Sequence, residues 1–250
     1  MRAAFATWIT ASIVLAAGAG TAQAVTDVPS LNGTAKRTAA KGIKLTLAVG
    51  LDTDPSGLQP DTLTSATLLF PQGATLNSAR FRSCSPAKLQ AKGTIACPAG
   101  SRIGSGTAKG TGGNPGQTPI LAENLSIAAF NGPHGKSVLL WLTGTAPAAI
   151  NSVLVAKLSR AKSPYSYRLS LAVPVGLQSI AGVQVAVTRF VTSIGAITTV
   201  KGRRYPYLRA PVCPLGATLP LQGTFTFNDD NGMPSSALSQ TVKSTIVCTS

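Results

Sequence analysis

His134 is the only histidine in the chain and Glu123 the only glutamate, so acid–base chemistry has few places to start. The remaining carboxylates are Asp27, Asp52, Asp54, Asp61, Asp229 and Asp230. A Ser-His-Asp relay would need His134, which stands in Asn131-Gly132-Pro133-His134-Gly135, a composition that makes a solvated turn. No G-x-S-x-G elbow is present. Ser85-Pro86-Ala87-Lys88 has the S-x-x-K spacing that sets a serine hydroxyl beside a lysine on one helix, but its S-D-N and K-T-G partners are missing. Gly104-Ser105-Gly106-Thr107-Ala108-Lys109-Gly110 lacks the residue order of a phosphate loop. Asp52, Asp54 and Asp61 could supply oxygen ligands to calcium, yet no glutamate closes the loop as in an EF-hand. Asp229-Asp230-Asn231-Gly232 reads as a hairpin turn. With one histidine and cysteines expected to be oxidised, no metal site and no cofactor are assigned.

The richest binding candidate is Lys201-Gly202-Arg203-Arg204-Tyr205-Pro206-Tyr207-Leu208-Arg209. The guanidinium forks of Arg203, Arg204 and Arg209 suit phosphate or carboxylate, and the faces of Tyr205 and Tyr207 can stack on sugars or bases. The competing reading is a hairpin whose two tyrosines pack on one sheet face while the arginines stay solvated. Charge also favours an anionic partner: 22 Lys and Arg face 7 Asp and Glu, for a net +15. The cations are scattered singly and aromatics make up only 5 %, without a zinc-finger or recognition-helix pattern, which argues against dedicated nucleic-acid binding.

The elements that must position these groups follow from the order of the chain. Met1-Arg2, an apolar run from Ala3 to Ala19 and the small-residue triplet Ala22-Gln23-Ala24 have the form of a secretory signal peptide, with cleavage expected after Ala24. Its loss removes Arg2 and takes the charge from +15 to +14. Export to an oxidising space makes Cys84, Cys97, Cys213 and Cys248 candidates for disulfides. Four cysteines allow three connectivities, of which Cys84–Cys97 with Cys213–Cys248 is the most economical. No later stretch is long and apolar enough for a membrane-spanning helix.

Residues 25–40 are small and polar and read as a flexible arm ahead of a single β-rich domain, 41–250. Alternation begins at Gly42–Gly50, where Ile43, Leu45, Leu47 and Val49 share one face. Similar runs recur at 66–70, 125–130, 138–143, 153–158, 167–173, 183–191, 196–200, 224–227 and 241–247. About ten short strands separated by turn residues predict an all-β, sandwich-like domain. One short helix is expected between the first two cysteines: Ser85 as N-cap, Pro86 at the first helical position and Gly93 as terminator. The glycine-dense stretch Arg102–Gln117 reads as an exposed loop.

Four segments together resemble a group of disulfide-containing, β-rich secreted proteins of high-GC Gram-positive bacteria that have no assigned function. They are Phe70-Pro71-Gln72-Gly73-Ala74, Cys84 to Leu89, Cys97-Pro98-Ala99-Gly100-Ser101-Arg102-Ile103-Gly104 and Ala210-Pro211-Val212-Cys213-Pro214. The resemblance spans most of residues 43–248 and implies disulfide positions and a β-rich fold, but no catalytic residue. The sequence thus points to an exported, non-catalytic protein of the cell envelope or extracellular space that binds an anionic polymer, glycan or lipid headgroup. The alternatives are a secreted hydrolase or transferase using Ser, Tyr or Asp without His, and a calcium-dependent adhesion module.

Overall fold

The computed structural model describes residues 26–54, 56–180, 182–210, 213–228 and 234–249. The expected signal peptide and the turn expected at Asp229–Gly232 lie outside the described residues. The elements run β1 (Thr26–Thr38), β2 (Gly42–Asp54), β3 (Leu63–Pro71), β4 (Thr75–Leu76), α1 (Pro86–Lys92), β5 (Arg102–Gly112), β6 (Leu121–Asn131), β7 (Ser137–Gly144), β8 (Ile150–Arg160) and β9 (Tyr165–Ala172). They continue with α2 (Val175–Gln178), β10 (Ser179–Ile180), β11 (Val183–Ile194), β12 (Ile197–Val200), β13 (Arg203–Pro206), β14 (Leu208–Arg209), β15 (Thr218–Asn228) and β16 (Pro234–Thr249). The chain is all-β, and each of the ten expected strands coincides with an observed one.

Eleven strands close into one ring, in the order β11-β2-β1-β16-β15-β3-β9-β8-β7-β6-β5, with β5 pairing back onto β11. This is a barrel and not the expected sandwich. The reason lies in two strands that polar–apolar alternation does not mark. β1 occupies the segment expected as a flexible arm, and β5 the glycine-dense stretch expected as a loop. Without them the ring falls into two separate sheets, β11-β2 and β16 through β6, which is the sandwich that the alternation alone suggests. A ring with an odd number of strands cannot alternate direction throughout, so one pair must be parallel. That seam is β1–β16, with Gly33 opposite Ile246; the other ten pairings are antiparallel.

Alternation sets the two faces of the wall. Leu45, Leu47 and Val49 of β2 stand opposite Ile194, Thr192 and Phe190 of β11, and all six line the interior. Lys44 and the hydrogen-bonded pair Thr46–Ser193 (2.7 Å) take the outer face. Apolar residues inside and polar residues outside is the reverse of a barrel that faces lipid. β7 is the exception, buried on both faces, because α1 covers its outer side. There Cys84, Leu89, Phe130, Leu139 and Trp141 form a small second core. Gln90 fastens the helix to β8, donating from Nε2 to Asn151 O (3.0 Å) and accepting from Val153 N at Oε1 (3.0 Å).

The helix starts after Ser85 with Pro86 in its first turn and stops at Gly93, whose φ of 67° favours glycine. The disulfides are Cys84–Cys97, flanking that helix, and Cys213–Cys248, joining the approach to β15 to the end of β16. On a chain-entropy model they contribute about 3 and about 4 kcal/mol through the unfolded state.

β5 carries Gly104, Gly106, Gly110 and Gly112 at alternate positions, with Ala108 between them, all on the face opposite Leu121, Leu125 and Ile127. A methyl group at Gly104 would lie 2.0 Å from Ser193 O, and one at Gly106 would lie 2.1 Å from Val191 O. The wall therefore turns a sharp corner where β5 meets β11, and side chains larger than hydrogen cannot occupy it. Glycine density here builds a strand that closes a ring.

Candidate functional site

The two ends of the barrel differ. At the end carrying the 131–137 and 194–209 connections, the opening is plugged. Tyr207, only 1 % exposed, meets Phe81 edge-to-face at a centroid distance of 5.1 Å and donates its hydroxyl to Asn131 Oδ1 (3.2 Å). Asn131 Nδ2 in turn lies within hydrogen-bonding range of three carbonyls, Ser78 O (3.1 Å), Phe81 O (3.3 Å) and Arg82 O (3.3 Å). Burial pushes the Tyr207 phenol well above its ordinary value of 10, which keeps it a donor at all physiological pH. The two-stranded patch of β4 and β14 sits over the same end.

These contacts divide the expected arginine–tyrosine site. Tyr207 belongs to the plug and cannot stack on a surface ligand. Tyr205 is half-buried and lies under the guanidinium of Arg80 at 5.1 Å. Arg203, Arg204 and Arg209 are exposed, the first two on the β12–β13 hairpin and the third on β14. The hairpin reading of this segment therefore holds for its backbone, and the arginines alone remain presented to solvent.

The other candidates for chemistry stay apart. His134 is exposed in a turn, with φ at 54°. Ser85 and Lys88 flank the start of a surface helix. Among the described residues no group of three His, Cys, Asp or Glu side chains could hold a metal ion. No helix among them is long and apolar enough to cross a membrane.

What the fold does create is an interior cavity of about 220 Å³, lined from every strand of the ring and reaching from Leu76 and Leu208 at the plugged end to Leu177 and Ile180 at the other. Its wall is almost wholly apolar. The geometry explains the space: eight strands enclose an interior that side chains can just fill, and barrel diameter grows with strand number. Here eleven strands surround no central helix, and part of the lining is small, with Ala35, Ala66, Gly110 and Ala156 on the inner face. The ionisable groups bordering the cavity are Glu123, Tyr167, Tyr207 and the exposed Lys109.

The end opposite the plug is ringed by buried polar side chains: Asp27, Thr53, Gln59, Thr62, Glu123 and Asn228. Several have an oxygen with no hydrogen-bond partner, namely Gln59 Oε1, Thr62 Oγ1, Glu123 Oε1 and Asn228 Oδ1. Burial raises the Asp27 carboxyl, partly offset by the amide hydrogen of Asp61 (3.1 Å). Exposed apolar residues lie around this rim, with Ile120 74 % and Val175 79 % exposed. Comparison with family models, curated proteins and solved structures finds no match to this chain. The cavity and its polar collar escaped the sequence reading because they are formed across the ring; the one local sign was that the only glutamate stands in an alternating, otherwise inward-facing run, Leu121, Glu123, Leu125, Ile127.

Proposed function

We propose that this protein is an exported, non-catalytic binding protein whose barrel holds a small apolar molecule in its interior. The observation that carries this reading is the apolar cavity of about 220 Å³ enclosed by a polar-faced barrel. An engineered apolar cavity of about 150 Å³ takes up benzene, so the space here suits a somewhat larger hydrocarbon body. Pockets of this character, apolar with few placed polar groups, are the usual form of a small-molecule site. The sparse acid–base residues, kept apart in the fold, favour carriage over catalysis. The test is titration of the oxidised protein with naphthalene, whose own fluorescence reports transfer to an apolar site. Saturable one-to-one binding that raises the melting temperature is expected; a folded protein that binds no naphthalene would overturn the reading.

A second property accompanies the first. On the outer wall Lys109 stands directly opposite Arg189, and Lys36 opposite Lys44. Like charges at facing positions are destabilising in isolation, and an anionic partner relieves them. Arg189 also borders an outer hollow of about 470 Å³ floored by Ser30, Ala48 and Gly50. We therefore assign the outer wall to contact with an anionic envelope polymer or headgroup. Retention of the protein on isolated envelope should fall with rising salt, and fall further in a variant with Lys109, Arg189, Lys36 and Lys44 replaced by Gln. Replacing Arg203, Arg204 and Arg209 by Ala instead tests the hairpin; loss only in that second variant would move the contact there, and salt-independent absence of binding would remove it.

A further inference from the structure

Glu123 is an unusual group to find on the wall of an apolar cavity. It is 4 % exposed. One carboxyl oxygen, Oε2, accepts the Ala148 amide hydrogen at 3.0 Å, while Oε1 is buried without a partner. Leaving a buried acceptor unpaired costs about 1–3 kcal/mol, more for a charged one, and leucine would fill this alternating position without that cost. The surroundings are also shaped around it. A methyl group at Gly144 would lie 2.6 Å from Oε1 and 2.5 Å from Leu125 Cδ2, so only glycine at this position lets the carboxyl lie against β7. The residue stands at the collared end of the cavity, near the exposed rim residue Ile120.

We propose that Glu123 Oε1 is the recognition point for the polar end of the bound molecule. The ligand is then an amphiphile with an apolar body and a hydrogen-bond donor head, an amine or a hydroxyl. A carboxylate offers only acceptors, so a donor head completes it, a cationic head most strongly, and an anionic head is repelled. This inference rests on the cavity reading above. Thr192, Tyr167, Tyr207 and Lys109 also border the cavity, Tyr207 committed to the plug and Lys109 exposed on the outer wall; the rest of the wall contributes apolar contact, which fixes size but not head-group chemistry.

The test uses four probes on the whole oxidised protein by calorimetry: naphthalene, octylamine, 1-octanol and octanoate. The inference expects octylamine to bind at least tenfold more tightly than octanoate, with octanol between them. Glu123→Gln keeps an oxygen for the Ala148 amide and should bring octylamine and octanoate to within about threefold of each other. Octanoate binding as tightly as octylamine to the wild type overturns the proposal without any variant, as does an amine preference that survives in Glu123→Gln. If naphthalene binds and the head groups are not distinguished, only this inference fails; if naphthalene does not bind, the cavity reading fails with it.

Discussion

Filling the cavity from the protein side gives a result whose sign is decisive. Ala156 is 1 % exposed, faces inward from β8 opposite Val138 and Leu171, and lines the cavity. Ala156→Leu adds three carbon atoms there. At about 0.8 kcal/mol per buried methylene the gain is about 2.4 kcal/mol, reduced by about 0.5–1 kcal/mol for the fixed leucine rotamer. A net gain of about 1.5–2 kcal/mol in a domain of this size raises the melting temperature by roughly 3–8 °C. The empty space sets the ceiling: at about 24 cal/mol per Å³, a 220 Å³ cavity corresponds to about 5 kcal/mol of packing that something could recover. Differential scanning calorimetry on oxidised protein measures the shift, and naphthalene titration of the same variant should show affinity reduced at least tenfold. If the interior were already filled, the added carbons would overpack it, at a cost of about 1–3 kcal/mol and a fall in melting temperature. A fall in melting temperature with naphthalene binding unaltered would refute the reasoning.

The ring closure makes an equally directional prediction. Gly106→Val puts a branched side chain where Val191 O already lies within 2.1 Å of a methyl position, and should cost upwards of 4 kcal/mol, lowering the melting temperature by more than about 10 °C or preventing folding. Thr107→Val, on the outer face of the same strand, is the control and should shift it by no more than about 2 °C. At the plug, Tyr207→Phe removes one hydrogen bond and should cost about 1 kcal/mol, whereas Asn131→Leu strips three carbonyls of their shared donor and should cost about 3 kcal/mol; denaturant titration separates the two, and equal losses would contradict the hub role of Asn131. Asp27 is a pH probe: desolvation raises its folded-state value above the unfolded 3.8, so the native state binds more protons and stability falls as pH rises from 3.8 through that raised value. Asp27→Asn should abolish this slope while Asn Oδ1 still accepts from the Asp61 amide, and parallel stability curves from pH 3.5 to 7 for variant and wild type would show the assignment to be mistaken.

The strands legible in the sequence were those whose inward residues are large. Leu45, Leu47 and Val49 declare their period, and Ser85, Pro86 and Gly93 mark both ends of the helix from local chemistry alone. β1 and β5 show little apolar period because much of their inner faces is glycine or alanine: Gly33 lies against Ile246, where a methyl group would approach Cγ1 to 2.7 Å, and Gly104, Gly106 and Gly110 lie against the β11 backbone. A hydrophobicity pattern cannot register a period written in glycine, though the alternation Gly104, Gly106, Gly110, Gly112 with Ser105, Thr107, Lys109 and Thr111 between them is a strand period once space is considered along with polarity. The burial of Tyr207 is equally unmarked in the sequence. It falls in the break between β13 and β14, outside any strand period, and turns into the plug while Arg203, Arg204 and Arg209 stay exposed. The cavity had no local signature, since a volume enclosed by eleven strands belongs to none of them.

The parallel seam governs the order in which the molecule can be made. It joins the first described strand to the last, so no portion of the chain that lacks β16 can complete the ring, and β1 must wait with one row of backbone groups unpaired until β16 has been made. Non-local closure of this kind is slow. During that wait the apolar inner wall is open along one edge, and whatever molecule occupies the interior can enter sideways, before the seam forms, without ever passing through either end of the finished barrel.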